Sequence, residues 1–346
     1  MNNAAAVSRC RKIREQNAME RFKRRFTRRF MNLAVMAVGM VVLGTGFARA
    51  ETVKIALPVA SLESLPIYLA EDRGLFKKRG VEVEIITSRG GGEAMKAYLA
   101  GEVQIVGTGF PEVGLMRARG VDVELFFAQT SRVPFALIAR KDLAAKSVAD
   151  LKGKTIAVTS PGSLTANLAR YFVIQAGLDP DKDASFVSVG GGGEILGALK
   201  SGRADAAMLF EPFVTVAVRE GIATVVVDVP EALDAFSSSP LSTSTTFLQK
   251  SPKEARAVFD ALAEGLSIVH GDKAATLDLA KKKFTNADPA VLETALARME
   301  KWYSRDGHFS RANVDRTQSI SLQLKIIPQI YPYEQVVAPS AREGAN

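Results

Sequence analysis

The chain has 346 residues, with 45 Lys+Arg, 37 Asp+Glu and a single cysteine, and a formal net charge of +8. Residues 1–50 hold 11 of the basic and 2 of the acidic residues. The remaining 296 residues carry 34 basic and 35 acidic side chains, so the positive charge gives no reason to expect nucleic-acid binding. Cys10 also lies in the first 50 residues, so the rest of the chain has no disulfide, no thiolate metal site and no cysteine nucleophile.

Residues 1–50 have the pattern of a secretory signal peptide. Residues 9–29 are rich in Arg and Lys, residues 30–47 are mostly apolar, and Ala48-Arg49-Ala50 follows. A basic region, an apolar region and an A-x-A site in this order predict cleavage after Ala50 and a soluble, periplasmic product. The alternative is an uncleaved membrane anchor, because the apolar run approaches the roughly 18 residues that can span a bilayer.

An internal duplication is the clearest architectural signal in the sequence. The Gly-Gly-Gly-Glu at residues 90–93 recurs at residues 191–194, which is 101 residues later. Across residues 90–121 and 191–222, nine positions are identical and no gap is needed. The same offset aligns residues 54–57 with 155–158. A repeat of this length predicts two structurally similar units.

Each unit is predicted to alternate strands with helices. In the first unit the predicted strands are residues 53–57, 81–86, 103–106 and 121–127, and the helices 65–73, 94–100 and 111–119. In the second unit the strands are residues 155–158, 186–189, 204–209 and 223–227, and the helices 166–176, 195–200 and 213–219. Short β-branched runs that alternate with helices ending at glycines predict parallel sheets with helices on both faces, and hence two α/β lobes.

The C-terminal third is predicted to be helical and contains no third copy of the repeat. Ser251-Pro252-Lys253-Glu254 fits a capping box that opens a helix through about residue 270, and Asp288-Pro289 opens another through residue 303. We expect this layer to cover the first lobe, with crossings between the lobes at residues 129–139 and 237–248. The predicted organisation is a signal peptide at residues 1–50, a first lobe at 51–135 and 241–346, and a second lobe at 136–240.

The loops after the predicted strands are suited to a small polar or anionic ligand. Ligands of open α/β sheets bind at the carboxyl ends of the strands. Residues 160–165 supply hydroxyls where a helix begins, and the two glycine runs allow the backbone to approach a ligand closely. Helix N-termini also bind anions without a lysine. The structural alternative for each loop is that the glycines form turns and that Ser and Thr are helix caps.

Other charged residues near these loops have two interpretations each. Glu93 and Glu194 follow their glycine runs and are interpreted as first-turn acids favoured by the helix dipole. Glu211 follows an apolar strand, so it either accepts a hydrogen bond from a ligand or pairs with an arginine. Arg89 and Arg132 border the loops and either face the ligand or face solvent.

The sequence offers little support for an enzyme. His270 and His308 are the two histidines, both lie in the C-terminal helical part, and neither has metal-binding spacing. They are interpreted as surface or packing residues. No G-x-S-x-G motif and no evident acid–base pair is present. No catalytic residue, metal site or cofactor is therefore predicted.

Several segments resemble the substrate-binding proteins of the nitrate/sulfonate/taurine class of ABC importers. They are YLAEDRGLF at residues 68–76, GGE with GEVQI at 91–105, DLKGKTIAV at 150–158, and GRADAA with EP at 202–212. The resemblance extends over about residues 54–325. It implies the type II periplasmic-binding-protein fold, in which two lobes close on a solute that is then delivered to a permease of the inner membrane. We expect a monomer whose ligand is a small molecule, an anion such as a sulfonate, nitrate or carboxylate.

The same resemblance keeps other solutes and roles open. The family includes binders of pyrimidine vitamin precursors, and an enzyme branch that relies on a cysteine-rich motif and an active-site histidine. This chain has neither feature in the corresponding region. The alternatives are a binder of a pyrimidine or aromatic compound, a ligand-loaded partner of a membrane sensor, and a periplasmic enzyme on the same fold.

Nine residues are predicted to contact the solute through hydrogen bonds or close backbone approach. They are Ser61, Gly91, Gly92, Thr108, Gln129, Ser163, Thr165, Gly192 and Glu211.

Overall fold

The structure is a computed structural model that describes residue 19 and residues 52–233, 236, 240–323 and 325–344. Apart from residue 19, the segment predicted to be a signal peptide lies outside the described residues, and the signal peptide stays a prediction. Residues 51–346 form one compact unit. No helix among the described residues is long and apolar enough to cross a membrane.

The strands of the described residues form two five-stranded sheets. In chain order they are β1 (Val53–Leu57), β2 (Val83–Thr87), β3 (Ile105–Gly107), β4 (Glu124–Phe127), β5 (Phe135–Arg140), β6 (Lys154–Val158), β7 (Ala184–Ser188), β8 (Ala206–Phe210), β9 (Ala223–Asp228) and β10 (Leu241–Thr243). The first sheet has the order β2-β1-β3-β10-β4 and the second the order β7-β6-β8-β5-β9. The two sheets with their helices are the two α/β lobes of the molecule.

Both sheets are mixed, so the prediction of parallel sheets is wrong for one strand in each. β10 runs antiparallel to β3 and β4, and β5 runs antiparallel to β8 and β9. These two strands carry the chain from one lobe to the other. Each of them enters its sheet from the side at which the parallel strands have their carboxyl ends. It therefore runs in the opposite direction to those strands.

The crossing strands lie within the two predicted crossings, of which residues 237–239 are outside the described part of the chain. β5 already begins at Phe135, the last residue that the predicted boundary assigns to the first lobe, and Phe135 pairs with Phe210 of the second sheet. The residue boundaries of the two lobes otherwise stay a prediction.

The duplication in the sequence is a structural repeat. An offset of 101 residues carries the bounds of β1 onto β6 and those of β2 onto β7. One hydrogen bond also repeats: the Lys54 N–H donates to Gln104 Oε1 at 2.9 Å, and the Thr155 N–H donates to Asp205 Oδ2 at 3.0 Å. Both acceptor residues lie directly before β3 and β8, which therefore begin two residues later than predicted.

Helices flank the sheets and make up most of the C-terminal third. They are α1 (Leu65–Asp72), α2 (Leu75–Lys78), α3 (Gly91–Leu99), α4 (Phe110–Ala118), α5 (Leu164–Gln175), α6 (Gly192–Lys200), α7 (Phe213–Arg219), α8 (Val229–Ala232), α9 (Thr245–Lys250), α10 (Pro252–Gly271), α11 (Lys273–Lys283), α12 (Pro289–Met299), α13 (Arg311–Gln323) and α14 (Tyr333–Val336). Short 3₁₀ turns lie at Leu62–Ser64, Lys141–Leu143, Val148–Leu151 and Pro339–Ala341.

The second sheet is buried on both faces. Leu137 of β5 packs in one apolar cluster with α5, whereas its neighbour Ile138 packs in another cluster with α6 and α7. This alternation follows from the two-residue period of a strand. The first sheet shares a single larger cluster with the C-terminal helices, which contribute Leu262 and Met299. Burial on both faces explains the nearly continuous apolar runs in the sequence.

The C-terminal layer covers the first lobe, because α10 and α11 both pack against α1. It also reaches the second lobe, where α12 contacts α7. Two predicted details of this layer are wrong. Ser251 makes no side-chain cap, since it also ends α9 and its N–H donates to Phe247 O. The helix that begins after Asp288 ends at Met299 and does not reach residue 303.

Candidate functional site

A cavity lies between the two lobes. About 30 Å³ of it accommodates the centre of a water molecule. Its wall includes residues that end or follow five strands: Pro58 after β1, Gly109 after β3, Gln129 after β4, Thr159 after β6 and Phe210 at the end of β8. These are the carboxyl ends at which open α/β sheets bind ligands.

The cavity brings together five of the nine predicted contacts, namely Ser61, Gly91, Gln129, Ser163 and Thr165. Two more, Gly92 and Thr108, adjoin its wall, whereas Gly192 and Glu211 lie outside the lining. The structure describes this grouping, and contact with a solute stays a prediction for all nine residues.

Ser163 and Thr165 belong to a hydroxyl network at the start of α5. The Thr159 N–H donates to Thr165 Oγ1 at 3.0 Å, and the Thr159 hydroxyl donates to Ser163 Oγ at 3.0 Å. Ser163 Oγ donates to Ser160 O at 2.8 Å and accepts from the Ala166 N–H at 3.3 Å. Ser163 is therefore a helix cap as well as a cavity residue, and its contact with a solute stays a prediction.

The glycine run after β2 brings the two lobes close together beside the cavity. The Gly92 N–H donates to Ser160 Oγ of the second lobe at 3.3 Å. At Gly90, where φ is +138°, an added Cβ would lie 2.9 Å from the same oxygen. At Gly91 an added Cβ would have no atom nearer than Ser163 Cβ at 3.9 Å. Side chains are thus disfavoured at Gly90 by contact and by φ, whereas an added Cβ at Gly91 would make only ordinary van der Waals contacts.

Gly192 has a packing role. An added Cβ at Gly192 would overlap the ring of Phe213, so glycine is required for the close approach of α6 and α7. The next glycine in the run, Gly193, has no atom within 4 Å of an added Cβ.

Glu211 is bound within the protein. It is buried before the cis Pro212, and its Oε2 accepts hydrogen bonds from the Thr215 N–H at 3.2 Å and the Thr215 hydroxyl at 2.8 Å. Its Oε1 lies 3.3 Å from Arg298 Nη1 of α12. Of the two interpretations of Glu211, the structure shows the pairing with an arginine.

Arg298 connects the C-terminal layer with the second lobe. Besides Glu211 it binds Asp228 at the end of β9, where Nη2 lies 2.8 Å from Oδ2. Burial raises the pKa of both carboxyls, and the Arg298 charge opposes this rise. The guanidinium also lies 5.7 Å from the centre of the Trp302 ring. Arg298 therefore holds two acidic strand ends of the second lobe against α12.

Glu63 is a wall residue that sequence reasoning missed. It lies in the 3₁₀ turn after β1, lines the cavity, and is 3% exposed. The Thr130 hydroxyl donates to Glu63 Oε1 at 3.4 Å. The adjacent Leu62 carbonyl accepts a 2.6 Å hydrogen bond from the Tyr303 hydroxyl. Burial, with a further contribution from Glu63, raises the pKa of Tyr303 well above 10, so this phenol stays a neutral donor.

Glu112, in the first turn of α4, is a second carboxyl that sequence reasoning missed. It is 7% exposed, and its Oε1 accepts from Asn167 Nδ2 of α5 at 3.3 Å, across the two lobes. Its Oε2 has no hydrogen-bond partner among the described residues. An added Cβ at Gly109 would overlap Oε2, so this carboxyl lies directly behind the cavity wall. Burial raises the pKa of Glu112 from 4.5 to about 7, against the lowering effect of its hydrogen bonds.

Thr108 is a third polar group at this place. It is buried, and its Oγ1 lies 4.0 Å from the position of an added Cβ at Gly91. Oγ1 has no hydrogen-bond partner among the described residues. A buried hydroxyl without a hydrogen-bond partner costs free energy.

The cationic side chains near the loops are bound elsewhere. Arg89 is exposed and lies 3.9 Å from Glu194 Oε1, and Arg132 Nη1 donates to Pro230 O at 3.1 Å. No Lys, Arg or His is among the described residues that line the cavity. Glu63 is the one ionisable side chain among the described lining residues, and Glu112 lies behind Gly109 of the same wall.

The two histidines lie in the C-terminal part of the chain, away from the cavity lining. His270 Nε2 is 2.8 Å from Ser304 O, and the His308 ring packs against the Phe259 ring with centroids 5.1 Å apart. Within the described part of the chain, no group of three or more His, Cys, Asp or Glu residues could hold a metal ion.

Comparison with known proteins gives a family match and a related sequence. The model of the family described as "NMT1/THI5 like" matches residues 61–274. "Putative binding protein YtlA" of Bacillus subtilis (strain 168) is 27% identical over 320 residues, which are 89% of this chain and 96% of that protein.

Two solved structures show the same fold. A protein of Bordetella bronchiseptica RB50 is 26% identical with a TM-score of 0.74, over 84% of this chain and 93% of that one. The alkanesulfonate-binding protein SsuA from Xanthomonas axonopodis pv. citri, bound to MOPS, has a TM-score of 0.69 at 17% identity, over 86% of this chain and 99% of that one. These likenesses confirm the predicted periplasmic-binding-protein fold with two α/β lobes, a cleft and a C-terminal helical layer.

Proposed function

The chain belongs to the NMT1/THI5-like family, and on this basis we propose that it is the extracytoplasmic solute-binding protein of an ABC importer. It captures a small solute between its two lobes and delivers it to a permease in the inner membrane. The observation that carries this proposal is the cavity, because residues at the carboxyl ends of strands from both sheets form its wall.

Capture depends on contacts that only the closed arrangement of the lobes can make. Gly92 binds Ser160, and Glu112 binds Asn167, each across the cleft. A solute that binds loops of both lobes adds further contacts to the closed state and so shifts the population toward it. Closure about a hinge also presents a new surface, which the permease recognises.

Location, assembly and the absence of turnover belong to the same proposal. The pattern of residues 1–50 supports export to the periplasm. We propose a monomer with no nucleic-acid partner, since the excess positive charge is confined to those 50 residues. Binding without turnover is supported by the names of its relatives, which are those of binding proteins.

Two features of the cavity favour different classes of solute. The starts of α3 and α5 at the cavity favour an anion, as predicted from the sequence. The wall itself carries the carboxylate of Glu63 and no described cationic side chain, which favours the nitrogenous alternative.

A thermal-shift screen of the purified protein tests the proposed capture. The screen covers sulfonates, nitrate, carboxylates, aromatic acids, amines and pyrimidines. A compound at about 100 times its dissociation constant adds roughly 2.7 kcal/mol to the free energy of unfolding. The proposal expects a stabilising compound that is recovered chemically unchanged. Conversion of that compound would indicate an enzyme, and failure of every class on folded protein would contradict solute capture.

A further inference from the structure

Glu112 lies where the first lobe touches the second. It belongs to the first turn of α4, and its Oε1 accepts a hydrogen bond from Asn167 Nδ2 of α5 at 3.3 Å. An added Cβ at Gly109, just before α4, would lie 3.0 Å from Leu164 Cβ, so the starts of α4 and α5 are in contact. Glu112 is 7% exposed in this arrangement. Leu164 and Asn167 of the second lobe thus help to cover a carboxyl of the first.

The closed arrangement of the lobes is unfavourable for a negative charge on Glu112. Its Oε2 is buried and has no hydrogen-bond partner among the described residues. A buried charge without a full set of partners is costly, and a neutral carboxylic acid avoids most of that cost. Burial accordingly raises the pKa of Glu112 from 4.5 to about 7, although its hydrogen bonds act in the opposite direction.

Among the described residues, no charged group offsets this cost. The pKa of Glu112 responds to burial, to a backbone hydrogen bond and to Asn167, without a contribution from a neighbouring charge. Arg117 of α4 donates to Val123 O, and Arg170 of α5 pairs with Asp181. The other charged residues on the wall and on the elements packed against α4 are Glu63, Arg119, Asp315, Arg316 and Lys325. Hydration is therefore what the carboxylate gains when the lobes separate.

We propose that closure of the lobes is coupled to protonation of Glu112, so that the protein closes more readily at acidic than at alkaline pH. This regulation rests on the proposed function, in which the lobes open and close on a solute. Opening hydrates the carboxyl and returns its pKa toward the ordinary value. Between pH 4.5 and about 7 the open form loses the proton first, so the closed form loses population as the pH rises.

A disulfide across the cleft measures closure without any solute. An added Cβ at Gly92 would lie 3.8 Å from Ser160 Cβ of the second lobe, a separation that suits a disulfide. The double variant Gly92→Cys/Ser160→Cys, made in a Cys10→Ser background, contains no other cysteine. Its disulfide forms only when the lobes are closed, so its equilibrium with glutathione reports the closed fraction of the reduced protein.

This equilibrium is measured at pH 6 and pH 8, once with Glu112 and once with Glu112→Gln, which is uncharged at both values. The pH dependence of the thiols is the same in the two backgrounds and cancels in the ratio of their equilibrium constants. The inference expects this ratio, Glu112 over Gln, to fall by about 10-fold from pH 6 to pH 8. That is the effect of a pKa that moves from 4.5 to about 7 on closure.

A control variant and a second measurement complete the test. Glu194→Gln removes an exposed carboxylate of the second glycine loop and should leave the pH dependence of the disulfide unchanged. Urea unfolding confirms that each variant is folded. Carbon-13 NMR of the glutamate carboxyls in the oxidised and reduced double variant keeps the test decisive if Glu112→Gln does not fold. One glutamate is expected to titrate near pH 7 in the oxidised form and at a lower pH in the reduced form.

The outcomes separate the inference from the proposed function. A ratio that is the same at pH 6 and pH 8 overturns the inference, as does a set of glutamate carboxyls that titrate identically in both forms. Failure of the disulfide to form at either pH also overturns it, because the arrangement that buries Glu112 is then not reached. A constant ratio or unchanged titrations leave solute capture standing, since the assay contains no solute. Solute capture is contradicted separately, by a thermal-shift screen in which no compound stabilises the folded protein.

Discussion

Glu112 is held where its negative charge is unfavourable. Burial between α4 and α5 leaves one carboxyl oxygen without a partner among the described residues, and the Asn167 amide is its nearest donor across the cleft. The pKa of Glu112 in the folded protein, about 7, is therefore higher than its ordinary value of 4.5. Because this pKa differs between the folded and unfolded states, the free energy of unfolding depends on pH.

The sign follows from the order in which the two states lose the proton. Below pH 4.5 Glu112 is protonated in both states, and the folded state carries no charge penalty. Between pH 4.5 and about 7 the unfolded chain loses the proton first, so stability falls as the pH rises. We predict that the free energy of unfolding of wild type, relative to Glu112→Gln, falls by about 2 kcal/mol from pH 5 to pH 8. Urea unfolding at both values measures this, and a constant difference would contradict the burial of the charge.

Gly192 and Gly193 form a matched pair for the packing role of the second glycine run. An added methyl group at Gly192 overlaps the Phe213 ring, whereas one at Gly193 meets nothing within 4 Å. We expect Gly192→Ala to lower the free energy of unfolding by about 1–3 kcal/mol, and Gly193→Ala to leave it nearly unchanged. Equal stability of the two variants in chemical unfolding would show that α6 and α7 do not pack as described.

The sequence distinguishes some site residues better than others. Ser163 and Thr165 could be identified because hydroxyls at a helix start after a strand are a recognisable pattern. Glu63 and Glu112 could not, since an acid in the first turn of a helix is favoured by the helix dipole wherever it lies. Their burial arises from the approach of residues distant in sequence, such as Thr130 and Asn167.

At the scale of elements, Arg298 is the main polar link between α12 and the second sheet. Its removal would leave the buried Glu211 and the half-buried Asp228 without their counter-charge. Breaking a buried pair on one side is more costly than removing both partners, because one charge stays desolvated.

We predict that Arg298→Ala lowers the free energy of unfolding by about 2 kcal/mol or more. In the double variant Arg298→Ala/Glu211→Gln the loss should be smaller than the sum of the single losses, because the unpaired charge is gone. Lys182→Ala serves as the control, since its ion pair with Asp179 lies on the surface and should contribute less than about 1 kcal/mol. If urea unfolding shows that the losses from Arg298→Ala and Glu211→Gln simply add in the double variant, the two side chains are not coupled.

Most elements could be predicted from the sequence, because the 101-residue offset provides two independent readings of one pattern. Strands β1 and β6, for example, have corresponding bounds and matching hydrogen bonds from Lys54 and Thr155. The antiparallel direction of β5 and β10 could not be predicted, since apolar runs buried on both faces carry no information on strand direction. The end of α12 at Met299 was also missed, because Tyr303 leaves the helix to bind Leu62 O, a contact 241 residues away in sequence.

At the scale of the whole molecule, the two lobes are related by the repeat and linked by two crossing strands. This arrangement places the ends of strands from both sheets around one cavity. The fold could be predicted, since the repeat and the family resemblance agree. The solute could not, because it depends on which side chains the closed lobes bury together.

Calorimetric titration of wild type and Gly91→Leu with a stabilising compound from the screen tests whether the solute binds in the cavity between the lobes. Gly91 lines the cavity, and an added Cβ there meets Ser163 Cβ at 3.9 Å without overlap, so we expect a leucine side chain at this position to take up space at the cavity wall. We predict that wild type binds one solute per chain and returns it unchanged, and that Gly91→Leu loses binding by about 100-fold or more, as expected when a side chain fills the site. The control Gly193→Leu, at a position with no atom within 4 Å of an added Cβ, should bind as wild type does. Equal affinity of wild type and Gly91→Leu would place the solute outside this cavity and contradict capture between the lobes.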